Sequence, residues 1–262
     1  NFFKADKAAI SYRLDPSFIA KLDYPRVPYA IFFVVGAQFR GFHIRFADIS
    51  RGGIRIIKSR GETALDRETS YRKNKAFLFM ENYNLALTQM LKNKDIPESG
   101  SKGTILISTR FKSRIIDMKS LYLQYVDALV DMMLPVAPDG VRSSLKQREL
   151  LFLGPDENTA GDYPSAAMYH SKARGLPEWK VLTTGKDSED GGIPHDRFGM
   201  TTTSVRAYVE GIYKKLNLDE SKLTKFQTGG PDGDLGSNEV LLSKESYKAL
   251  VDKTGCLYDE NG

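Results

Sequence analysis

The chain has 262 residues, 41% hydrophobic and 11% aromatic, which is enough apolar content for one large core or two moderate ones and excludes a disordered segment. The net charge of +5 arises from 38 basic and 33 acidic residues that are interspersed rather than blocked, so the pattern is not that of a nucleic-acid binder and suits a small anion or a dinucleotide. A single cysteine (Cys256) rules out an internal disulfide framework, three scattered histidines give no metal-ligand spacing, and no apolar run approaches the roughly 20 residues of a membrane span.

In chain order, an extended stretch marked by Pro16, Pro25 and Pro28 leads into strand-like runs at 29–36 (YAIFFVVG) and 42–49. Only 37–41 separates them, which predicts an antiparallel hairpin. In the second run Phe42, Ile44 and Phe46 alternate with His43, Arg45 and Ala47, one apolar face and one polar. Gly52 and Gly53 then interrupt the strand pattern. Residues 62–92 predict a long helix, ended by Pro97 and Gly100, and 104–108 (TILIS) a short buried strand. Leu123, Val126, Val130 and Met133 form the apolar stripe of an amphipathic helix over 118–133. A strand at 150–153 runs into the polar turn 154–158.

The Gly-, Asp- and Ser-rich stretch 183–192 reads as a boundary, giving domains over 1–190 and 191–262. Beyond it come a helix at 199–216, a strand at 223–228, a glycine-rich turn, a helix from about 238 and a strand at 256–259. That succession predicts the first βαβ unit of a dinucleotide-binding domain. The fold class expected is therefore α/β: a mixed-sheet domain followed by the start of a Rossmann-like domain.

Four clusters carry chemistry. The segment Lys92 to Gly103 reads as a loop that sets Lys102 between the glycines Gly100 and Gly103, which permit close approach of a ligand, and there a desolvated lysine becomes a base or electrostatic catalyst. A polar loop with solvated lysines fits the same residues. Asp156 follows a strand end, where ligands bind in α/β sheets and a carboxylate can shuttle protons; it equally fits a helix cap. Ser50-Arg51-Gly52-Gly53-Ile54-Arg55 places two arginines around a glycine pair beyond a strand, either a carboxylate clamp or structural pairing. The turn Gly229 to Gly236 contains Gly230, Asp232, Gly233 and Gly236, without strict GxGxxG spacing. Asp259, 23 residues after Gly236, lies near the position of a carboxylate that receives ribose hydroxyls and so favours NAD over NADP. An ordinary turn aspartate is the competing reading.

The segments FRGFHIRFADISRGGIR (39–55), NLALTQMLKNKDIPESGSKGTIL (84–106), LGPDENTA (153–160), GGIPHDRFGMTTTSVRAYVEGIYKKL (191–216) and TGGPDGDLGSN (228–238) together resemble the large, eukaryotic-type NAD-specific glutamate dehydrogenases. The resemblance implies a substrate domain ahead of the NAD domain, with NAD as cofactor and glutamate, 2-oxoglutarate and ammonium as small-molecule partners. It further implies Lys102 as the catalytic lysine, Asp156 as the proton-transferring aspartate, Lys92 on the substrate α-carboxylate, Arg51 on the distal carboxylate, and Thr201 at the nicotinamide. Gly-Ser-Lys-Gly-Thr departs from the Gly-Gly-x-Lys-Gly-Gly of the smaller relatives. The opening Asn-Phe-Phe-Lys, with no methionine, reads as an internal start, so the chain is expected to be a fragment, inactive alone, of a homo-oligomeric enzyme. Cytoplasm or mitochondrial matrix is the expected location, without nucleic acid, membrane or metal.

Overall fold

The computed structural model describes residues 7–92, 96–109, 117–141 and 148–262, and the chain divides into two compact units, Asn1–Gly192 and Ile193–Gly262. In unit 1 the runs of β-branched and aromatic residues form β2 (Ala30–Gly36) and β3 (Phe39–Arg45), an antiparallel hairpin with Ile31 opposite Ile44 and Phe33 opposite Phe42. The hairpin was legible from the apolar runs, although its link is shorter than expected. An earlier strand, β1 (Ala9–Leu14), pairs antiparallel with β2 in what the sequence presented only as an extended stretch.

The glycine pair does not end a strand. Gly52 and Gly53 lie inside β4 (Ser50–Ile57), and β5 (Ser99–Ile107) begins well before the predicted 104–108, so Gly100 and Lys102 are strand residues. Between them α1 (Ala64–Leu91) crosses over and returns the chain in parallel: Ile54 lies opposite Gly103 and Ile56 opposite Ile105. Thr63 and Asp66 close the start of α1 with a reciprocal capping box. After α2 (Met118–Val130), β6 (Phe152–Pro155) adds to the other side of β4 in parallel, and α3 (Tyr163–Ala173) follows. The six-stranded sheet has the order β1-β2-β3-β5-β4-β6.

Alternation along the strands supplies two apolar faces. Ile54, Ile56, Ile105 and Leu153 join Tyr122, Tyr125, Val126 and Leu129 of α2 in the larger core. Ile31, Ile44 and Phe46 pack on Tyr83 and Ala86 of α1 in the smaller one. His43 lies buried within the sheet, and burial, reinforced by Arg45, depresses its pKa to about 3. A neutral imidazole there is a core residue, not a catalytic one.

Unit 2 contains α4 (His195–Phe198), α5 (Met200–Leu216), β7 (Thr224–Thr228), α6 (Gly233–Leu242), β8 (Ser246–Asp252) and β9 (Gly255–Tyr258). The βαβ unit is β7–α6–β8, with β7 and β8 parallel. β9 folds back antiparallel onto β8, Val251 opposite Cys256, so the strand predicted to close the βαβ unit is instead the return arm of a hairpin. Helix α6 also begins earlier than predicted, and Gly233 and Gly236 belong to it. Beneath α5 the Arg206 guanidinium, 5% exposed, meets Glu245 at 3.0 Å and Glu239 at 3.2 Å, and Tyr213 donates to Glu245 at 2.7 Å. Such a network needs opposite charges close together, and Lys225 of β7 adds a second cation to Glu239 while Glu220 adds a third carboxylate to Arg206. Among the described residues no helix is long and apolar enough to cross a membrane.

Candidate active site

Because Ile105 and Ile107 point into the α2 core, Lys102 and Thr104 of β5 face the α1 side, where Asn82 of α1 donates to Thr104 Oγ1 at 3.0 Å. By the same alternation β4 presents Arg51, Gly53 and Arg55 on that face. The glycines make the approach possible. A Cβ on Gly52 would stand 1.6 Å from the Ser101 carbonyl oxygen, and one on Gly53 would stand 2.8 Å from Asp156 Cβ. Gly100 similarly admits the backbone of α1 at Ala86 and Met90.

Into this space the Lys102 ammonium projects with its side chain 6% exposed, in direct ionic contact with Asp156 Oδ2. Asp156 is held from behind. Its Oδ1 accepts the Glu157 N–H at 2.7 Å, and its own N–H donates to Thr159 Oγ1 at 2.9 Å. Thr159 in turn donates to the Ile54 carbonyl at 2.5 Å, and Asn158 to that of Ile56 at 2.8 Å, which fastens the turn to β4. Asp156 therefore caps no helix: α3 starts at Tyr163, with Asp162 as its cap residue.

Burial, then the nearby charges of Arg55 and Lys92, push the Lys102 pKa down to about 8, against a smaller upward pull from Glu81. Removing an ammonium from water disfavours its charged form, and like charges add to that; the Asp156 carboxylate in contact works the other way. A lysine poised near neutrality can both hold and release a proton. Lys92 caps the C-terminal end of α1 and is exposed. Arg51 lies 3.4 Å from Glu98 and stacks over the Phe152 ring at 5.9 Å. Its charge also acts, after burial, to lower the pKa of Lys186, which donates to the Thr183 carbonyl at 2.8 Å. Unit 1 thus gathers Lys102, Asp156, Arg51 and, through its charge, Lys92 around one face of the sheet. Lys102 itself sits in a strand, not a loop; the residues 93–95 of the predicted loop lie outside those described. Sequence reasoning left out Glu81 and Lys186 and gave Arg55 no role of its own, since each takes its place from a distant element.

A pocket elsewhere in unit 1, about 270 Å³, is lined by Arg13, Tyr29, Arg45, Arg148 and Glu149. Its arginines are already paired: Arg13 and Arg45 with Glu149, and Arg148 with Glu178.

In unit 2 the glycine turn leaves β7 and enters α6. Gly230 has φ +88° and Gly233 φ +73°, and a Cβ on Gly236 would lie 2.6 Å from the Gly230 carbonyl oxygen. Gln227 holds the turn shut, donating to the carbonyls of Gly230 and Gly236 at 3.1 Å each while accepting from Tyr247 at 2.8 Å. Asp232 precedes α6 without a side-chain cap, and together with Gly230, Gly233, Val205, Val209 and Phe226 it lines a pocket of about 580 Å³. Thr201, in the first turn of α5, donates its backbone N–H to Asp234 Oδ2 at 2.7 Å. The predicted ribose carboxylate is displaced. Asp259 follows β9 and accepts from Asn261 N–H at 2.8 Å, away from the end of the parallel strand. The carboxylate at the end of β8 is Asp252: a Cβ on Gly230 would lie 3.4 Å from its Oδ2, while its Oδ1 accepts from Thr254 N–H at 2.7 Å.

Residues 191–262 match the model of the Glutamate/Leucine/Phenylalanine/Valine dehydrogenase family. Over its whole length the chain is 52% identical to the NAD-specific glutamate dehydrogenase of Neurospora crassa and 51% identical to that of Saccharomyces cerevisiae, covering 24% of each relative. The chain thus spans about a quarter of the length of the curated relatives it matches. Among solved structures it resembles the hetero-hexameric glutamate dehydrogenase of Thermus thermophilus (TM-score 0.57, 17% identity, 98% of this chain and 52% of that one). The glutamate dehydrogenase of Peptoniphilus asaccharolyticus is similar to the same degree (TM-score 0.56, 19% identity, 97% of this chain and 56% of that one).

Proposed function

We propose, from the chain's similarity to the large NAD-specific glutamate dehydrogenases, that it belongs with them and carries the substrate groups and the first part of the cofactor unit of an enzyme that converts L-glutamate, water and NAD to 2-oxoglutarate, ammonium, NADH and a proton. The observation that carries the reading is the contact between buried Lys102 and half-buried Asp156 on a face shared with Arg51 and Arg55. Lys92 takes the α-carboxylate and Arg51 the distal one, which fixes the α-carbon before any bond changes; orientation of this kind is worth effective molarities of about 10⁵ M or more. Asp156 Oδ2 accepts a proton from the substrate amine. Water then adds to the imine carbon, assisted by the Lys102 ammonium, and Asp156 returns a proton to the departing nitrogen, so that ammonium leaves.

The chemistry supplied by bound NAD is acceptance of the α-carbon hydride. The residues present fit it: the open backbone at Gly230 and Gly233, the start of α6 and the Asp252 carboxylate suit a pyrophosphate and a ribose respectively. Within this reading Asp252 replaces Asp259 as the ribose partner, and Thr201 contacts the nicotinamide. The whole protein is an oligomer, as the Thermus relative is described to be, and works in the cytoplasm or the mitochondrial matrix.

Lys102→Ala in the full-length protein is expected to lower kcat by roughly 10³-fold, within the range of proton-transfer catalysis, while the thermal melting profile stays cooperative. Turnover close to that of the parent would defeat the reading. A second reading, an amino-acid dehydrogenase for an apolar side chain, has against it the cation Arg51 set on the site face. Arg51→Leu should cost glutamate far more than norvaline, and an unchanged preference would favour the second reading.

A further inference from the structure

Asp156 lies between two cations, and only one of them has been given a role. Lys102 meets Oδ2, and on the other side Arg55 Nη2 stands 3.7 Å from Oδ1. Arg55 is two residues beyond Gly53 on the same face of β4, so the glycine that admits Asp156 also leaves the carboxylate alongside the guanidinium. The guanidinium is itself anchored: Nη1 donates to Glu81 of α1 at 3.0 Å, and Nε stands 3.7 Å from Glu157 Oε2. Oδ1 is thus committed to Arg55 and the Glu157 N–H, which leaves Oδ2 as the oxygen turned to Lys102.

We propose that Arg55 is a positioning residue of this site, holding the Asp156 carboxylate by Oδ1 so that Oδ2 is the oxygen that exchanges protons beside Lys102. The proposal rests on Lys102 and Asp156 being the reacting pair. Arg55 acts through that pair and touches no substrate. It is one of the two positive charges that push the Lys102 pKa, after burial, down to about 8. Removing its charge therefore moves Lys102 back toward the ordinary lysine range, and the pH limb that reports Lys102 moves to higher pH. A merely structural arginine would change stability without moving that limb.

The test uses Arg55→Met, Arg55→Gln and Arg55→Lys in the full-length protein. Arg55→Gln is the safeguard against misfolding, since it keeps a polar partner for Glu81 without the charge. For Arg55→Met and Arg55→Gln, kcat should fall roughly tenfold with KM for glutamate within about twofold, because orientation is lost and binding is not. Arg55→Lys should restore the pH limb and part of kcat. Independently of turnover, the rate at which acetic anhydride labels Lys102, followed by peptide mass spectrometry, should have its midpoint near pH 8 in the parent, where burial and neighbouring charge put the lysine at about 8. That midpoint should move upward in the two uncharged variants. A stationary or downward midpoint, or an unchanged kcat, overturns the proposal. If Lys102→Ala abolishes turnover while the Arg55 variants behave like the parent, only this inference fails; if Lys102→Ala is active, the assignment of the pair fails with it.

Discussion

The two units use glycine for opposite purposes. In unit 1, Gly52 and Gly53 are extended strand residues whose missing Cβ makes room: one lets the backbone of β5 approach, the other admits Asp156. In unit 2, Gly230 and Gly233 stand in the left-handed region, and nothing lies within 4 Å of a Cβ placed on Gly233. The first pair removes bulk so that charged side chains can meet in a buried place. The second pair bends a backbone so that its own amides can meet a ligand. The difference extends to the packing, since unit 1 places apolar cores on both faces of the sheet that carries its pair. A site built from side chains is thereby tied to the stability of its core, and one built from backbone is tied to the conformation of a single turn.

Substitution separates the two uses. Gly52→Ala forces β4 and β5 apart, because the new methyl would overlap a backbone carbonyl that no rotamer can clear, and should cost about 3 kcal/mol or more. Gly233→Ala meets open space and should cost only the left-handed penalty of about 1–2 kcal/mol. Urea unfolding followed by near-ultraviolet circular dichroism measures both. Equal midpoints for the two variants would break the comparison.

That contrast also explains what could be read in advance. The hairpin β2–β3 and helices α1 and α2 were legible because their apolar spacing is local and their burial follows from it. β4 and the first half of β5 were not, since glycine, serine and lysine have low strand preference and the need for them comes from the neighbouring strand. Lys102 and Asp156 were each visible as residues worth attention, but their contact depends on a parallel register that α1 and the Gly53 gap create. In unit 2, Ser-Tyr-Lys-Ala-Leu-Val-Asp has the composition of a helix as much as of a strand, and without β8 the last acidic residue looked like the end of the βαβ unit.

The next largest effect concerns that displaced carboxylate. Asp252→Asn in the full-length protein should raise KM for NAD about tenfold, equivalent to about 1.4 kcal/mol, and narrow the discrimination against NADP. Asp259→Asn, on the far side of the β8–β9 hairpin, should leave both within about twofold. Hydrogen bonds from Thr254 to Oδ1 keep the Asp252 carboxyl below its ordinary pKa, so the effect should hold from neutral pH upward and fade only in acid, as the carboxylate protonates. The reverse ranking of the two variants would place the ribose partner on β9 after all.

The smallest effect tests a third kind of glycine, one that neither makes room nor bends the chain. Gly211 lies inside α5 with an ordinary helical φ and nothing within 4 Å of a Cβ placed on it. Alanine there keeps the native backbone and restricts the unfolded chain, so Gly211→Ala should stabilise unit 2 by about 0.5–1 kcal/mol. Hydrogen exchange of the α5 amides resolves a gain of this size within one unit. Slower exchange in α5 with no change in β4 and β5 sharpens the comparison. Faster exchange would mean that the open side of α5 has a use for the missing side chain, and that its glycine belongs with Gly52 and not with Gly233.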